Sequence, residues 1–232
     1  PHAVFPEGLE KQYKGITPLL TSNSNFYVVD TRLTVPVVSV DGWTLELDGD
    51  VPNKRSWSFD DLTKMDVIER DITLTCVSNE VGGKYVGGAR WLGGRLSDRH
   101  RAAGISSPSD PGADQLLSTD VDGFTIGTPL EVAMDGREPL IAFGMNGEPL
   151  PREHGFPVRL ITPGIYGYVG STKWLAKLTL TTYAEEQAYW TQRDWATEGP
   201  IKIASRIDTP KPLSTIDAGK TGEYHKLIFA NQ

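Results

Sequence analysis

The sequence predicts an α+β fold made mostly of strands and irregular loops, with short helices at its margin. Residues 43–49 and 174–183 alternate apolar and polar side chains, which is the pattern of a half-buried strand. The candidate helices are all short, and the chain shows no internal repeat. Within 232 residues this mixture is typical of an α+β domain.

The individual elements follow from local signals along the chain. Strands are predicted at residues 26–29, 35–38, 43–49, 71–76, 139–145 and 174–183. Short helices are predicted at residues 58–62, 96–103 and 131–134. Ser58 is the expected N-cap of the first helix, and Gly104 is expected to end the second. Residues 105–115 are rich in Ser, Pro, Asp and Gly and predict a surface loop.

The chain divides into three parts by composition. Residues 1–24 are mixed and polar and predict an N-terminal arm. Residues 25–210 predict one folded domain, whereas residues 211–232 predict a tail. The tail follows Pro210 and Pro212 and is too short to be a domain. We expect it either to be cut before a second, dimerisation domain or to be foreign to the native protein.

Charge and hydropathy exclude several classes of partner. The formal net charge is −7, which argues against nucleic acid and anionic membrane surfaces. No window approaches the ~20 apolar residues of a membrane span. The sequence therefore predicts no membrane-spanning segment.

Cys76 is the only cysteine, and it is the last residue of the predicted strand 71–76, after which Ser78-Asn79 and Gly82-Gly83 indicate a tight turn. It cannot form an intrachain disulfide. Three roles remain open from this segment: a small core side chain, a nucleophile or a metal ligand.

Two other segments concentrate chemistry-bearing residues. Residues 145–159 place His154 and Arg159 on either side of a rigid Gly-Phe-Pro-Val, in a long irregular segment of the kind that is often functional. Residues 163–175 combine glycines with hydroxyls and Lys173, which suits an anion or phosphate cradle. They lack the spacing of a P-loop or a dinucleotide fingerprint. A surface cation, a satisfied histidine and a glycine-rich turn are the simpler interpretations.

Together these segments resemble the molybdopterin-binding domain of the sulfite oxidase family. The shared pattern is Thr-Leu-x-Cys followed by Asn at 73–79, then Met-Asn-Gly-x-Pro-Leu-Pro-x-x-His-Gly-x-Pro-x-Arg at 145–159. Pro-Gly-x-x-Gly at 163–167 and Lys-Trp-Leu at 173–175 complete it. The resemblance covers residues 25–210 and implies the sulfite-oxidase-type fold for that domain.

The resemblance implies a bacterial molybdenum-dependent oxidoreductase with a molybdopterin cofactor. Cys76 is then the protein's thiolate ligand to molybdenum, and the pterin dithiolene supplies two further sulfurs. The residues that it implies for binding the cofactor are Asn25, Tyr27, Asn79, Thr125, His154, Arg159, Gly164, Tyr166, Gly167, Ser171, Thr172 and Lys173. Arg159 suits bidentate contact with a phosphate.

The departures from the family pattern concern the substrate. Glu80 and Val81 stand where the animal and plant enzymes have two arginines that bind sulfite, and Trp195 replaces an active-site tyrosine. Val29 and Asp30 occupy a stretch where the family has another arginine. A carboxylate repels a dianion. We therefore expect Cys76, Glu80 and Trp195 to form the catalytic side and to act on a substrate other than sulfite, such as a neutral S-oxide.

Two alternative functions remain open. Cys76 could be a thiol nucleophile with His154 as its base, or the chain could be a cofactor-free fragment that serves as an interaction module. The sequence shows no haem-binding motif, so electrons are expected to pass to a separate partner or to a domain outside this chain. The resemblance favours export or a membrane anchor for the full-length protein.

Overall fold

The computed structural model describes residues 15–30, 32–215 and 228–230. Most of the predicted arm and much of the predicted tail lie outside these residues. The domain boundaries at 24 and 210 therefore stay predictions.

Thirteen strands and four short helices are present in the described part of the chain. The strands are β1 (Thr44–Gly49), β2 (Arg55–Ser58), β3 (Val67–Thr75), β4 (Val86–Arg95), β5 (Gln115–Asp120), β6 (Thr125–Pro129), β7 (Leu140–Met145), β8 (Glu148–Pro149), β9 (Arg159–Ile161), β10 (Ser171–Thr172), β11 (Leu175–Thr181), β12 (Ser205–Ile207) and β13 (Ile228–Ala230). The helices are α1 (Phe59–Lys64), α2 (Leu96–Ala102), α3 (Leu130–Met134) and α4 (Gly167–Gly170), with 3₁₀ turns at Arg152–His154 and Thr191–Arg193.

Two sheets carry the fold. The first has the order β2-β1-β11-β5-β6, with β1 and β11 parallel and the other pairs antiparallel. The second has the order β10-β9-β7-β4-β3, and β8 adds to β7. One apolar cluster contains Leu45 and Leu178 from the first sheet and Ile141 and Leu160 from the second, so the sheets pack on each other.

The opposite face of the second sheet is buried as well. Leu140 and Ala142 of β7 alternate with Ile141, and they join a second apolar cluster with Trp91 and Phe26. This burial on both faces explains why residues 139–145 form a nearly continuous apolar run. β3 and β9, which border the candidate site, belong to this sheet.

Most of the predicted elements are confirmed. Residues 43–49, 71–76, 139–145 and 174–183 correspond to β1, β3, β7 and β11. The helix after Ser58 has the expected cap, because the Ser58 hydroxyl accepts a hydrogen bond from Asp61 N at 3.1 Å and Asp61 Oδ2 accepts one from Ser58 N at 2.9 Å. Helices α2 and α3 lie where they were predicted.

The predicted strands at 26–29 and 35–38 are wrong. Both segments are irregular, and most of their β-branched side chains are exposed, with Val29 51% and Val37 82% exposed, whereas Val38 packs partly against the first apolar cluster. Phe26 is buried, but it packs against Gly87 of β4 instead of joining a ladder. Among the described residues no helix is long and apolar enough to cross a membrane.

Candidate functional site

Cys76 is the first residue after β3, at the mouth of the loop that leads to β4. Its N–H donates to Tyr85 O at 2.9 Å, and its carbonyl accepts from Asn79 N at 3.0 Å. The Asn79 side chain closes the same loop by accepting from Tyr85 N at 2.8 Å. Asn79 therefore holds the backbone beside Cys76. The thiol is free and half-buried.

Cys76 opens into a cavity of about 240 Å³, which we call the Cys76 cavity. Seven of the residues predicted for the site line it. These are Tyr27, Cys76, Arg159, Gly167, Ser171, Lys173 and Trp195. Its other lining residues are Val29, Asp30, Val77, Ser78, Asp120, Phe124, Ile126, Tyr168, Trp174 and Trp190. The three sequence segments thus meet at one concave site, as expected for a small-molecule site.

Arg159 provides a buried cation at this cavity. It begins β9, where pairing with β10 brings Ser171 within reach: its Nε and Nη2 donate to Ser171 Oγ at 3.1 and 2.8 Å, and its Nη1 donates to His154 O at 3.0 Å. A guanidinium has five N–H donors, so two are left over. Within the described ranges no carboxylate pairs with it, and burial lowers its pKa to about 10.

Lys173 follows β10 and is a second cation at the cavity. It forms an ion pair with Asp30 and donates to Glu153 O at 3.0 Å. Burial lowers its pKa to about 8, although Asp30 opposes the shift. Gly155 permits this packing: its φ is +113°, and a Cβ there would lie 2.9 Å from Lys173 Cα.

Tyr27 lines the same cavity and is electrostatically coupled to both the Arg159 guanidinium and the Cys76 thiol. Burial raises its pKa to about 12; Arg159 opposes that shift, and Cys76 adds to it. The phenol is therefore protonated at neutral pH and can donate a hydrogen bond to a ligand.

His154 binds Arg159 through its backbone carbonyl and does not line the cavity. Its ring is buried edge-on to Phe26, with Nε2 2.8 Å from Asn23 O. Burial lowers its pKa, which favours the neutral ring. No hydrogen bond joins this ring to Cys76 in the part of the chain that the structure describes. The geometry of a thiol–histidine pair is thus not formed.

The other predicted residues lie around the cavity without lining it. The Thr172 hydroxyl is 2.6 Å from that of Ser118, Thr125 Oγ1 accepts from Tyr189 N at 3.0 Å, and Tyr166 Oη accepts from Lys202 N at 3.3 Å. Gly164 has a φ of +81°. Thr125 and Tyr166 thus bind backbone N–H groups, and Thr172 links β10 to β5.

Asn25 and Glu80 are exposed and also lie outside the lining. Glu80 uses its carbonyl to accept from Gly83 N at 2.7 Å within the Cys76 loop. Its carboxylate is therefore not the charge that a ligand in the cavity meets.

The structure adds two carboxylates to the site that sequence reasoning did not assign. Asp30 pairs with Lys173, and Asp120 pairs with Arg32, which lies 5.6 Å from the Trp174 ring centroid. Asp120 also accepts from Asp122 N at 2.8 Å and Phe124 N at 2.9 Å. An acid at the last position of a strand such as β5 has no distinctive sequence signal.

An aromatic group forms another part of the lining, and sequence reasoning assigned only Trp195 of it. The ring centroids of Trp190 and Trp195 are 4.4 Å apart, and those of Tyr168 and Trp195 are 5.0 Å apart. The irregular segment after β11 supplies both tryptophans and has no periodic pattern. Its density of aromatic residues was the only available signal.

Comparison with known proteins places this geometry in a family. The model of the oxidoreductase molybdopterin binding domain matches residues 32–190. Mitochondrial sulfite oxidase of Rattus norvegicus is 31% identical over an alignment of 253 residues, gaps included. The alignment covers 93% of this chain and 44% of that protein. Nitrate reductase [NAD(P)H] of Hordeum vulgare is 32% identical over 184 residues, which cover 69% of this chain and 20% of that protein.

A solved structure shares the fold. The sulfane dehydrogenase SoxCD from Paracoccus pantotrophus matches with a TM-score of 0.61 and 22% identity, over 77% of this chain and 50% of that one. The chain spans less than half the length of the rat sulfite oxidase that it matches. Both the sequence match and the fold agree with the predicted resemblance, and the chain belongs to the family of oxidoreductase molybdopterin-binding domains.

Proposed function

We propose that this chain is the catalytic domain of a molybdenum-dependent oxidoreductase and that Cys76 is its thiolate ligand to the metal. The observation that carries the proposal is that Cys76 and Arg159 line one cavity. A soft thiolate at one position and a buried guanidinium at another match a cofactor that joins a metal centre to a phosphate. The oxidoreductase names of the sulfite oxidase and nitrate reductase relatives support this chemistry.

The donor set fits the phosphate end of molybdopterin. Arg159 keeps two N–H donors beyond those bound to Ser171 and His154, and it has no carboxylate partner in the described ranges. A buried unpaired cation is costly, so an anionic ligand would stabilise it. Lys173 adds a second positive charge at the same cavity.

The metal end fits as well. Cys76 is the only cysteine of the chain, and the described residues contain no group of three or more His, Cys, Asp or Glu side chains that could hold a metal. The protein would supply one sulfur, and the cofactor would supply the oxygen-atom and electron-transfer chemistry. Tyr27, with its protonated phenol, would donate a hydrogen bond near that sulfur.

The charges of the cavity favour a neutral substrate. Lys173 is paired with Asp30, and Asp120 is paired with Arg32. Arg159 is then the one lining cation without a carboxylate partner in the described residues, and the cofactor phosphate would use it. Among the described residues, the lining then offers no unpaired cation to a dianion such as sulfite. Glu80 lies outside the lining and does not contribute to this preference.

We propose reduction of a neutral S-oxide as the reaction. The S=O bond breaks, its oxygen leaves as water with two protons, and a redox protein supplies two electrons in single steps. The sulfide is the other product. A separate electron-transfer partner follows from this balance, and we also propose that the full-length protein is exported or membrane-anchored, on the resemblance alone.

Metal analysis and a Cys76→Ser variant test the proposal. Protein from a host that makes molybdopterin should contain near-stoichiometric molybdenum and should reduce an S-oxide with reduced viologen dye. Cys76→Ser should lower turnover by at least about 100-fold and leave the circular dichroism spectrum unchanged, because the exchange alters one atom at a half-buried site. A fully active serine variant, or wild-type protein that binds no molybdenum, contradicts the proposal.

A control variant separates loss of the ligand from general damage. Val77→Ala changes the next residue, which lines the cavity through an exposed apolar side chain. It should retain its full molybdenum content. The same loss of metal in both variants would show that the loop, and not the thiol, binds the cofactor.

A further inference from the structure

We propose that Tyr168, Trp190 and Trp195, here called the aromatic wall, bind the organic part of the substrate and select an S-oxide that carries a planar apolar group. This inference rests on the proposed function, because it names the substrate class of the same cavity. It concerns residues that the cofactor argument does not use.

The wall is held together by its backbone. Trp195 N donates to Trp190 O at 3.2 Å across the 3₁₀ turn at Thr191–Arg193, and Asp194 takes a φ of +63° to close that turn. The two indoles are thereby brought to a centroid separation of 4.4 Å. Tyr168 is fixed separately, since its hydroxyl donates to Ala196 O at 3.1 Å. A preorganised wall loses little entropy when a ligand binds.

The rings form a corner. The Tyr168 and Trp195 planes meet at 71°, and the Trp190 and Trp195 planes meet at 39°. Flat ligand groups bind such an arrangement by stacking on one ring and meeting the edge of another. All three rings line the Cys76 cavity and are only half-buried, so part of each ring surface is accessible to a ligand.

The mouth of the cavity is apolar as well. Val29 and Val77 line it with 51% and 38% of their surfaces exposed. The organic part of a neutral S-oxide matches this apolar lining, whereas a small inorganic oxyanion does not.

Matched ligands test this inference on the molybdenum-loaded protein. Methyl phenyl sulfoxide and dimethyl sulfoxide share the reacting S=O group and differ in the planar ring. We expect methyl phenyl sulfoxide to bind at least about tenfold more tightly, since stacking on one aromatic side chain is worth roughly 1–3 kcal/mol for a planar ring. Isothermal titration calorimetry measures binding, and viologen oxidation measures kcat/KM for each ligand.

Two variants of Trp195 separate a stacking surface from a space filler. Trp195→Phe keeps an aromatic plane and should bind methyl phenyl sulfoxide within about threefold of wild type. Trp195→Leu keeps apolar volume and should lose about tenfold. Dimethyl sulfoxide should bind both variants within about twofold of wild type, because it is too small to stack. Ile203→Ala, an exposed change outside the cavity lining, is the control and should alter neither ligand.

The outcomes distinguish this inference from the proposed function. Equal binding of both sulfoxides, or an equal loss for both in Trp195→Leu at unchanged molybdenum content, overturns the aromatic wall and leaves the function standing. Absence of turnover with either sulfoxide in molybdenum-loaded protein overturns S-oxide reduction. Calorimetry still decides the wall in that case, because binding is measured without turnover.

Discussion

Arg159 and Arg99 both bury a guanidinium over a tryptophan ring, at 5.4 Å from the Trp91 centroid and 5.5 Å from the Trp57 centroid. Burial lowers the pKa of each. Arg99 even has the less satisfied side chain, because its Nε has no hydrogen-bond partner, whereas Arg159 Nε donates to Ser171. By burial and electrostatics alone the two regions look equally functional.

The surroundings of the two arginines differ. Arg159 lines the Cys76 cavity together with the free thiol and Lys173. Arg99 lies on α2 beside His100, which is fully buried with both ring nitrogens unpartnered, and neither residue lines that cavity. A perturbed pKa therefore does not identify a site by itself. Spare donors that face a cavity do.

Replacing each arginine by methionine should show the largest difference between the two regions. Arg159→Met should weaken cofactor binding by about 3–5 kcal/mol, because it removes the buried partner of an anion. Arg99→Met should retain the cofactor and raise the free energy of unfolding by about 1 kcal/mol, because it replaces a poorly satisfied buried cation by an apolar side chain of similar volume.

Molybdenum per chain and urea unfolding of both variants measure these outcomes. Arg159→Lys is a further check, since a lysine keeps the charge and loses the bidentate geometry, and it should retain part of the cofactor. Full cofactor content in Arg159→Met, or loss of cofactor in Arg99→Met, would show that the two regions have been assigned the wrong way round.

His100 should make the free energy of unfolding depend on pH between 6.5 and 4. Burial lowers its pKa from 6.5 to about 4, so between these values the unfolded chain binds a proton that the native chain refuses. Stability from this group is complete above pH 6.5 and is lost as the pH falls towards 4, by roughly 3 kcal/mol over the interval. Carboxylates titrate in part of this range, so the measurement is the difference between wild type and His100→Gln in urea unfolding at pH 7 and pH 4.5. Parallel pH profiles for the two proteins would rule out the buried neutral histidine.

The same contrast shows what sequence could and could not predict. The strand and turn around Cys76 were predicted because alternation ends there in Ser78-Asn79. β4 was missed because Gly87, Gly88, Gly93 and Gly94 interrupt its pattern. Tertiary packing explains these glycines, because a side chain would collide with a neighbour: a Cβ on Gly87 would lie 2.7 Å from the Phe26 ring.

The site divides in the same way. Arg159, Ser171 and Lys173 were predicted because they lie in the motif segments 145–159 and 163–175. Trp190 comes from an irregular segment and Asp120 from the last position of β5, and their place at the cavity depends on the whole fold. The strand error at 26–29 has a related cause: Val29 is β-branched but borders the cavity, where it has no neighbouring strand.

Lys173, the second cation of the cavity, should make cofactor affinity depend on pH, and this is the smallest of the expected effects. Its pKa is about 8, so it is charged at pH 7 and loses its charge above pH 8. A bound phosphate raises that pKa, so cofactor affinity should fall as the pH rises above 8, by at most about tenfold per unit. Lys173→Arg stays charged and should release the cofactor at a rate independent of pH between 7 and 9.5. The released pterin, oxidised and measured by fluorescence over time, reports the rate. Equal pH dependence in wild type and Lys173→Arg would assign the effect to another group, and Lys173 would then be only the partner of Asp30.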